Sequence, residues 1–407
     1  MTVALAPMHC DYFDADRCRS CTLMGVPYDR QLADKQRHVV DVLAPVTAGV
    51  TWLPAHAGPE SHFRNKAKLV VGGSPGAVTV GILDRGGLGT DLRRCGLYEP
   101  GLAELVPRVA DLLDVLALEP YDVPSRRGEV KHVLLTHSPD GDSMLRFVLR
   151  SQKHLALLRS RLSVILEALP GVRVVSVNLQ PEHKAVTEGE VEIVLTDADV
   201  LPMRLDDVEL FLRPNSFFQT NTGVATALYR QARDWVARVD PAAVLDLYCG
   251  VGGFALQAAV APGRPDRVVR GVEVAPEAIA SARRSAAALT AAGASGADLD
   301  FTVGDATDVT ALPGVTESDS GRGLVVVNPP RRGIGPRLAA WLEASPASHV
   351  LYSSCNVDTL ARDLGAMPSL RPVEARLFDM FPQTSHHEVA VLLERNPLHS
   401  THFGGTP

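Results

Sequence analysis

The sequence of 407 residues lacks any apolar run of the roughly 18 residues that a membrane-spanning helix needs. Its start, MTVALAPMHCDYFDADRC, lacks a basic region followed by an apolar stretch, so no secretory leader is expected and the expected compartment is the cytoplasm. An excess of basic charge is missing as well. The 40 Lys and Arg residues face 47 Asp and Glu, a formal net charge of -7, which excludes a surface coated in polyanion-binding patches. Any nucleic-acid site must be local, and 61-SHFRNKAKLVVGG-73 is a candidate, because Arg64, Lys66 and Lys68 alternate into a strand-like run and can share one face. The same pattern describes an ordinary edge strand facing water.

Cysteine is scarce, but its six copies are not scattered. Cys10, Cys18, Cys21 and Cys95 lie in the first quarter, three of them within 10-CDYFDADRCRSC-21; the others are Cys249 and Cys355. In a reducing compartment this compact group fits a metal or iron-sulfur site better than a disulfide framework. The C-x-x-C pair lets two thiolates reach one centre from a tight turn, Cys10 arrives from upstream, and Cys95 in 91-DLRRCGLYEP-100 can return as a fourth ligand. Four thiolates suit tetrahedral zinc and a four-iron four-sulfur cluster alike, so the spacing leaves both open.

Periodicity divides the chain. Residues 28–46 and 101–123 read as helices, 77-AVTVGIL-83 as a strand, and 131–138, 144–150, 172–179 and 191–196 as further strands, with a helix over 153–169 between the second and third of these. From about residue 216 the grammar changes. A helix over 222–240 is followed by highly apolar runs at 243–249, 268–274, 324–330, 348–355 and 389–395, the signature of a mostly parallel sheet buried on both faces. Ligands in such architectures bind beyond the C-terminal strand ends.

Four motifs stand at those ends. In 245-LDLYCGVGGFAL-256 a strand meets a glycine turn and then a helix; Gly250, Gly252 and Ala255 satisfy G-x-G-x-x-A, a weak signal shared by dinucleotide and adenosylmethionine sites. Glu273 ends the next strand, where a carboxylate can accept both ribose hydroxyls, and Asp305 follows a third strand within reach of an adenine edge. In 325-VVVNPPRRGIG-335, two prolines fix the backbone after Asn328 and leave its amide to match the donors and acceptors of a planar base. That arrangement moves the balance from a dehydrogenase toward a methyltransferase acting on a nucleobase-like substrate. Cys355 closes an apolar run in 351-LYSSCNVDTL-360, where it can be a packed residue or a nucleophile, while Cys249 inside the glycine turn is expected to pack.

Taken together, DLYCGVGGFAL, VVVNPPRRGIG, LYSSCNVDTLARDL and DMFPQTSHHEVAVLLER resemble the bacterial RNA uracil-C5 methyltransferases that use S-adenosylmethionine, and within them the branch acting on 23S ribosomal RNA. The resemblance covers essentially the whole chain. It implies an α/β fold with a class I (Rossmann-like) methyltransferase domain at 216–407, an α+β middle domain contacting RNA at 101–215, and a small iron-sulfur region, discontinuous in its packing, within 1–100. It also implies S-adenosylmethionine as cofactor at Gln219, Tyr248, Gly250, Gly252, Glu273, Asp305 and Asn328, and one four-iron four-sulfur cluster on Cys10, Cys18, Cys21 and Cys95. The nucleophile maps to Cys355 and the general base to Glu388. The implied partner is 23S ribosomal RNA, with no membrane and no obligate protein partner.

Uracil C5 is too weak a nucleophile to take a sulfonium methyl unaided, and a thiolate adding at C6 makes it enolate-like. In that scheme Asn328 holds the uracil edge and Arg331 and Arg332 are phosphate contacts. Two departures from the family pattern are present. Tyr248 stands where Phe is frequent, and Val357 replaces the usual Pro after the Cys-Asn pair, which predicts a less rigid loop. The competing readings are methylation of tRNA or another ribosomal uridine, and a non-catalytic iron-sulfur protein that binds RNA or senses redox state.

Overall fold

The computed structural model describes residues 8–184, 188–308 and 323–396. A single helical turn, α1 (Asp11–Asp14), begins at Cys10 and is followed by α2 (Tyr28–Leu43) and a 3-10 turn at Ala44–Val46. Gln31, Lys35, Val39 and Leu43 recur every fourth residue and form the buried stripe of α2. Strand β1 (Thr51–Trp52) then pairs in parallel with residues far along the chain, Thr51 opposite Glu374.

The first sheet takes β2 (Lys66–Ser74), β3 (Ala77–Leu83) and β4 (Gly89–Asp91) from before helix α3 (Pro100–Val115), then β5 (Val130–His137) and β6 (Ser143–Leu149). Helices α4 (Leu155–Ser160) and α5 (Leu162–Ala168) lead to β7 (Val172–Leu179) and β8 (Val191–Val194). The order is β4-β3-β2-β5-β6-β7-β8, and only β6 and β7 run parallel, because α4 and α5 carry the chain back before it re-enters the sheet. Leu102, Val106, Val109 and Leu113 of α3 pack on Leu145, Phe147 and Val175.

Three expectations are corrected. The helix over 153–169 is broken at Arg161, whose φ of -107 and ψ of 13 leave the α-helical region. The strand carrying Lys66 and Lys68 is not an edge strand. It lies between β3 and β5, and Glu188 reaches over its polar face, 3.9 Å from Lys68 and 2.9 Å from Arg146. The division at residue 100 also fails to follow the sheets, since β2–β4 hydrogen-bond into the sheet of β5–β8 while α2 and β1 join the C-terminal unit.

The hairpin β9 (Leu201–Leu205) and β10 (Val208–Leu212) sends Leu201, Met203, Leu205, Val208, Leu210 and Leu212 into the core of the C-terminal unit, which therefore starts before residue 216. That unit continues with α6 (Thr222–Val239), β11 (Ala243–Leu247), α7 (Gly253–Ala259), β12 (Val268–Glu273), α8 (Pro276–Ala291), β13 (Asp298–Val303) and β14 (Gly323–Val327). It ends with α9 (Gly335–Ala344), β15 (His349–Ser354), α10 (Val357–Gly365), β16 (Leu370–Phe378) and β17 (Glu388–Arg395).

The eight-stranded order is β1-β16-β17-β15-β14-β11-β12-β13, parallel except that β17 inserts antiparallel between β15 and β16. α6, α7 and α8 cover one face; α2, α9 and α10 cover the other. The chain leaves β11 toward β12 and β13, then crosses back to β14, so the switch point of the topology lies between β11 and β14. No helix among the described residues is long and apolar enough to cross a membrane.

Candidate active site

Parallel register aligns the strand ends. Leu247 of β11 is level with Val272 and Val327, and Val327 with Tyr352, so Tyr248, Glu273, Asn328 and the end of β15 emerge along one edge. The turn after β11 is tightly wound: Tyr248, Gly250 and Gly252 all have positive φ, 63, 53 and 89°. A Cβ at Gly250 would meet nothing within 4 Å, which leaves backbone open to a ligand there. At Gly253, by contrast, a Cβ would come within 2.6 Å of the Tyr229 ring, so the helix after the turn can seat against α6 only without a side chain.

Two carboxylates frame this turn. Asp246, fully buried in β11, accepts the Ala255 N–H at 3.0 Å and pins the start of α7; burial pushes its acid up to about 8. Glu273 accepts from Gly250 N (3.3 Å) and Ala275 N (3.0 Å), which fixes its carboxylate at the rim. Asp305 is exposed at the end of β13 and bonded to Thr307, the main cause of its lowered pKa. Gln219 is buried, and its carbonyl accepts from Asn65 at 3.0 Å, tying the approach to α6 to the loop before β2.

The antiparallel pairing of β15 with β17 brings two of the predicted site residues together. Ser354 is opposite Val389, so one step further along the same register Cys355 faces Glu388. Glu388 is 2% exposed, and burial pushes it up to about 7, against which the Ser353 hydroxyl, donating at 2.5 Å, favours the charged form. Cys355 is half-buried; its thiol is raised by burial and then by Glu388, and lowered by Arg331.

Asn356 is the N-cap of α10. Its side-chain oxygen accepts from Asp358 N and Thr359 N, and its amide donates to the Arg331 carbonyl at 3.0 Å. Val357, only 4% exposed, is the first helical residue. The loop expected to be less rigid is therefore held by a cap, by burial and by a strut to the Asn-Pro-Pro-Arg-Arg segment. Asp363 adds a second strut, accepting from Ile334 N (2.9 Å) and the Tyr352 hydroxyl (2.7 Å).

Comparison with known proteins places the chain. A model of the tRNA (Uracil-5-)-methyltransferase family matches residues 194–396. The 23S rRNA (uracil(747)-C(5))-methyltransferase RlmC of Pectobacterium atrosepticum is 44% identical over 390 residues, 95% of this chain and 100% of that protein. RlmC of Escherichia coli O127:H6 is 44% identical over 389 residues, 95% and 99% of the two chains. The chain belongs to the RNA uracil-C5 methyltransferase family. The Pyrococcus abyssi tRNA (uracil-54, C5)-methyltransferase, solved with S-adenosyl-L-homocysteine, has the same fold: TM-score 0.74 and 24% identity, covering 92% of this chain and 85% of that one.

Within this family member the predicted site residues separate into two places. Tyr248, Gly250, Gly252, Glu273, Asp305, Asn328, Cys355 and Glu388 stand along the strand ends just described. Cys10, Cys18, Cys21 and Cys95 line a different cavity of about 310 Å³, together with Arg64, Lys66 and Phe218. Among the described residues no group of three His, Cys, Asp or Glu side chains is arranged to hold a metal ion. The thiols are nevertheless mutual neighbours: Cys21 is pushed up to about 11, first by burial and then by Cys95, with Cys18 and Cys10 contributing.

Ser353, Asp246 and Asp363 were missed by sequence reasoning. Asp246 had a signal, an acid inside a run otherwise buried on both faces. Ser353 had none, since its value lies in a partner 35 residues away.

Proposed function

We propose that this protein methylates C5 of a uridine in 23S ribosomal RNA, in the cytoplasm, using S-adenosylmethionine. The observation that carries the chemistry is the half-buried Cys355 thiol facing a fully buried Glu388 across two adjacent strands, beside the open glycine turn. The full-length relatives at 44% identity favour 23S ribosomal RNA over tRNA, the substrate in the family model's description.

Tyr248, Gly250, Gly252, Glu273, Asp305, Gln219 and Asn328 are the residues that would hold the cofactor, and Asn328 also orients the uracil edge. When bound, S-adenosylmethionine supplies an electrophilic methyl group to C5. Cys355 adds as thiolate to C6, forming the S–C bond and placing the electron pair on C5 and O4. That electron pair would form the C5–CH3 bond as the methyl–sulfur bond of the cofactor breaks, its pair staying on sulfur as a neutral thioether; Glu388 then takes the C5 proton, the C5–C6 double bond re-forms and the thiolate departs. Burial and the neighbouring carboxylate disfavour two negative charges at once, and forming the S–C6 bond discharges the sulfur before the carboxylate is needed as base.

The four-thiol cavity is read as the site of a four-iron four-sulfur cluster on Cys10, Cys18, Cys21 and Cys95. Its role is to organise the fold, since no step of the methyl transfer moves a single electron.

The catalytic assignment is tested with a 23S RNA fragment and doubly labelled RNA and cofactor. Cys355→Ala gives neither methyl transfer nor a covalent RNA adduct. Glu388→Gln accumulates a methylated adduct that survives denaturation. Turnover by Cys355→Ala, or normal release of methylated RNA by Glu388→Gln, overturns the corresponding role, and labelling of tRNA alone overturns the substrate.

A further inference from the structure

A cavity of about 520 Å³ opens beside α9 and α10, adjoining the strand-end site, and its walls include Thr307, Arg332, Gly333, Arg337, Arg362 and Asp363. The arginines are held as a group. Arg362 donates to the Arg332 carbonyl at 2.8 Å and is braced by Asp363 Oδ1 at 2.8–3.0 Å. Arg337 sits in the first turn of α9, 3.7 Å from Asp308. Asp363 is 2% exposed; its Oδ2 accepts from Ile334 and Tyr352 while its Oδ1 braces Arg362.

Three exposed guanidinium groups stand beside three carboxylates, Asp305, Asp308 and Asp363, of which Asp363 is buried. The N-terminal end of α9 adds the positive pole of its backbone dipoles. The location is as telling as the charge. Arg332 follows Arg331, which lies beside the Cys355 thiol and whose carbonyl is clamped by Asn356, so cavity and nucleophile are joined by one braced loop.

We infer that the Arg332, Arg337 and Arg362 cavity is a phosphate subsite that holds a backbone phosphodiester of the RNA next to the target uridine. This rests on the reading of RNA as substrate. A base drawn toward Cys355 leaves its sugar-phosphate chain outside the strand ends, and a fixed cluster of forked donors there is suited to phosphate oxygens. Anchoring the backbone on braced arginines positions the base without reading its sequence.

The test measures RNA binding as a function of salt by fluorescence anisotropy, on a 23S fragment and on a scrambled RNA of equal length. Arg337→Gln lowers the slope of log K against log salt by about 1 on both RNAs. Arg337→Lys retains most of the slope, and KM for RNA rises in Arg337→Gln while KM for S-adenosylmethionine does not. Arg233→Gln, on α6 in the opposite helix layer, sets the effect of losing any one surface charge. A slope in Arg337→Gln equal to that of wild type or of Arg233→Gln overturns the subsite, as does an effect confined to the cofactor. Wild-type protein that binds the fragment but methylates no RNA defeats the catalytic reading and leaves the slope comparison intact.

Discussion

Two cysteines of the C-terminal unit show how local surroundings decide reactivity. Cys249 lies inside the glycine turn after β11, buried, and its thiol is raised well above the ordinary value by burial, then Asp246 and Glu273, with no cation opposing them. Cys355 is half-buried and has Arg331 beside it. A thiolate is less disfavoured at the second position than at the first. The same logic gives Glu388 its range. Burial alone lifts it, and Ser353 pulls it back to about 7; Cys355 and Tyr229 are the other titratable groups that feel its charge. If Glu388 is the base, as proposed, it works as carboxylate, and turnover should climb with pH through about 7. Removing the hydroxyl removes a bond to the charged form, so Ser353→Ala moves that acid limb to higher pH while KM for cofactor stays. A limb unchanged in the rate profile would mean that Ser353 only fills space.

Among the elements, α2 has a role its sequence position conceals. Lys35 Nζ donates to Asp379 Oδ1 at 2.6 Å and to the Phe381 carbonyl at 3.2 Å. Gln31 and Gln383 exchange two bonds, each at 3.0 Å, and Leu23 N donates to the Gln383 carbonyl, also at 3.0 Å. Gln383 is held at a φ of 67°, a left-handed conformation sustained by these bonds. The helix thereby fixes the segment that delivers Glu388 to β17. Both ends of the Lys35–Asp379 pair are buried, at 4% and 0% side-chain exposure. Lys35→Ala should cost about 3–5 kcal/mol in urea denaturation by stranding the carboxylate. The double variant Lys35→Met/Asp379→Leu should recover most of that loss. A single variant as stable as wild type would show that the pair does not hold the segment.

At the scale of the whole molecule, the cysteine segment touches both larger units. Cys95 packs against the first sheet's core as well as beside Phe63 and Leu97, while Leu23, two residues past Cys21, bonds to the loop before β17. A cluster bridging Cys10, Cys18 and Cys21 to Cys95 would close a long loop and tie these parts together. Anaerobically purified protein should carry about four irons per chain, the content of the proposed cluster. Cys18→Ala should lower iron content and Tm together, with residual methyl transfer falling in step with folded fraction. Stoichiometric zinc without iron would remove the cluster assignment, and a Cys18→Ala protein that is fully folded yet inactive would give the cluster a chemical role.

The sequence by itself determined most of the strongly periodic elements, though it missed the hairpin of β9 and β10. The apolar runs of β11, β12, β14, β15 and β17 are buried on both faces and so carry their own record, and the motifs at their ends needed no geometry to be noticed. Local grammar also located the four cysteines and placed Cys355 at a strand end before a helix. Only the tertiary structure decided what depends on distant pairing. It put β2–β4 in one sheet with β5–β8, moved α2 and β1 to the C-terminal unit, and turned Lys66 and Lys68 from edge residues into members of an interior strand. It set Cys355 opposite Glu388 through the reversed direction of β17, and it gathered Arg332, Arg337 and Arg362 round one cavity. The physical reason is common to all of these. Periodicity records which face of an element is covered, whereas register, strand direction and long-range ion pairs depend on what covers it, which no single stretch of chain contains.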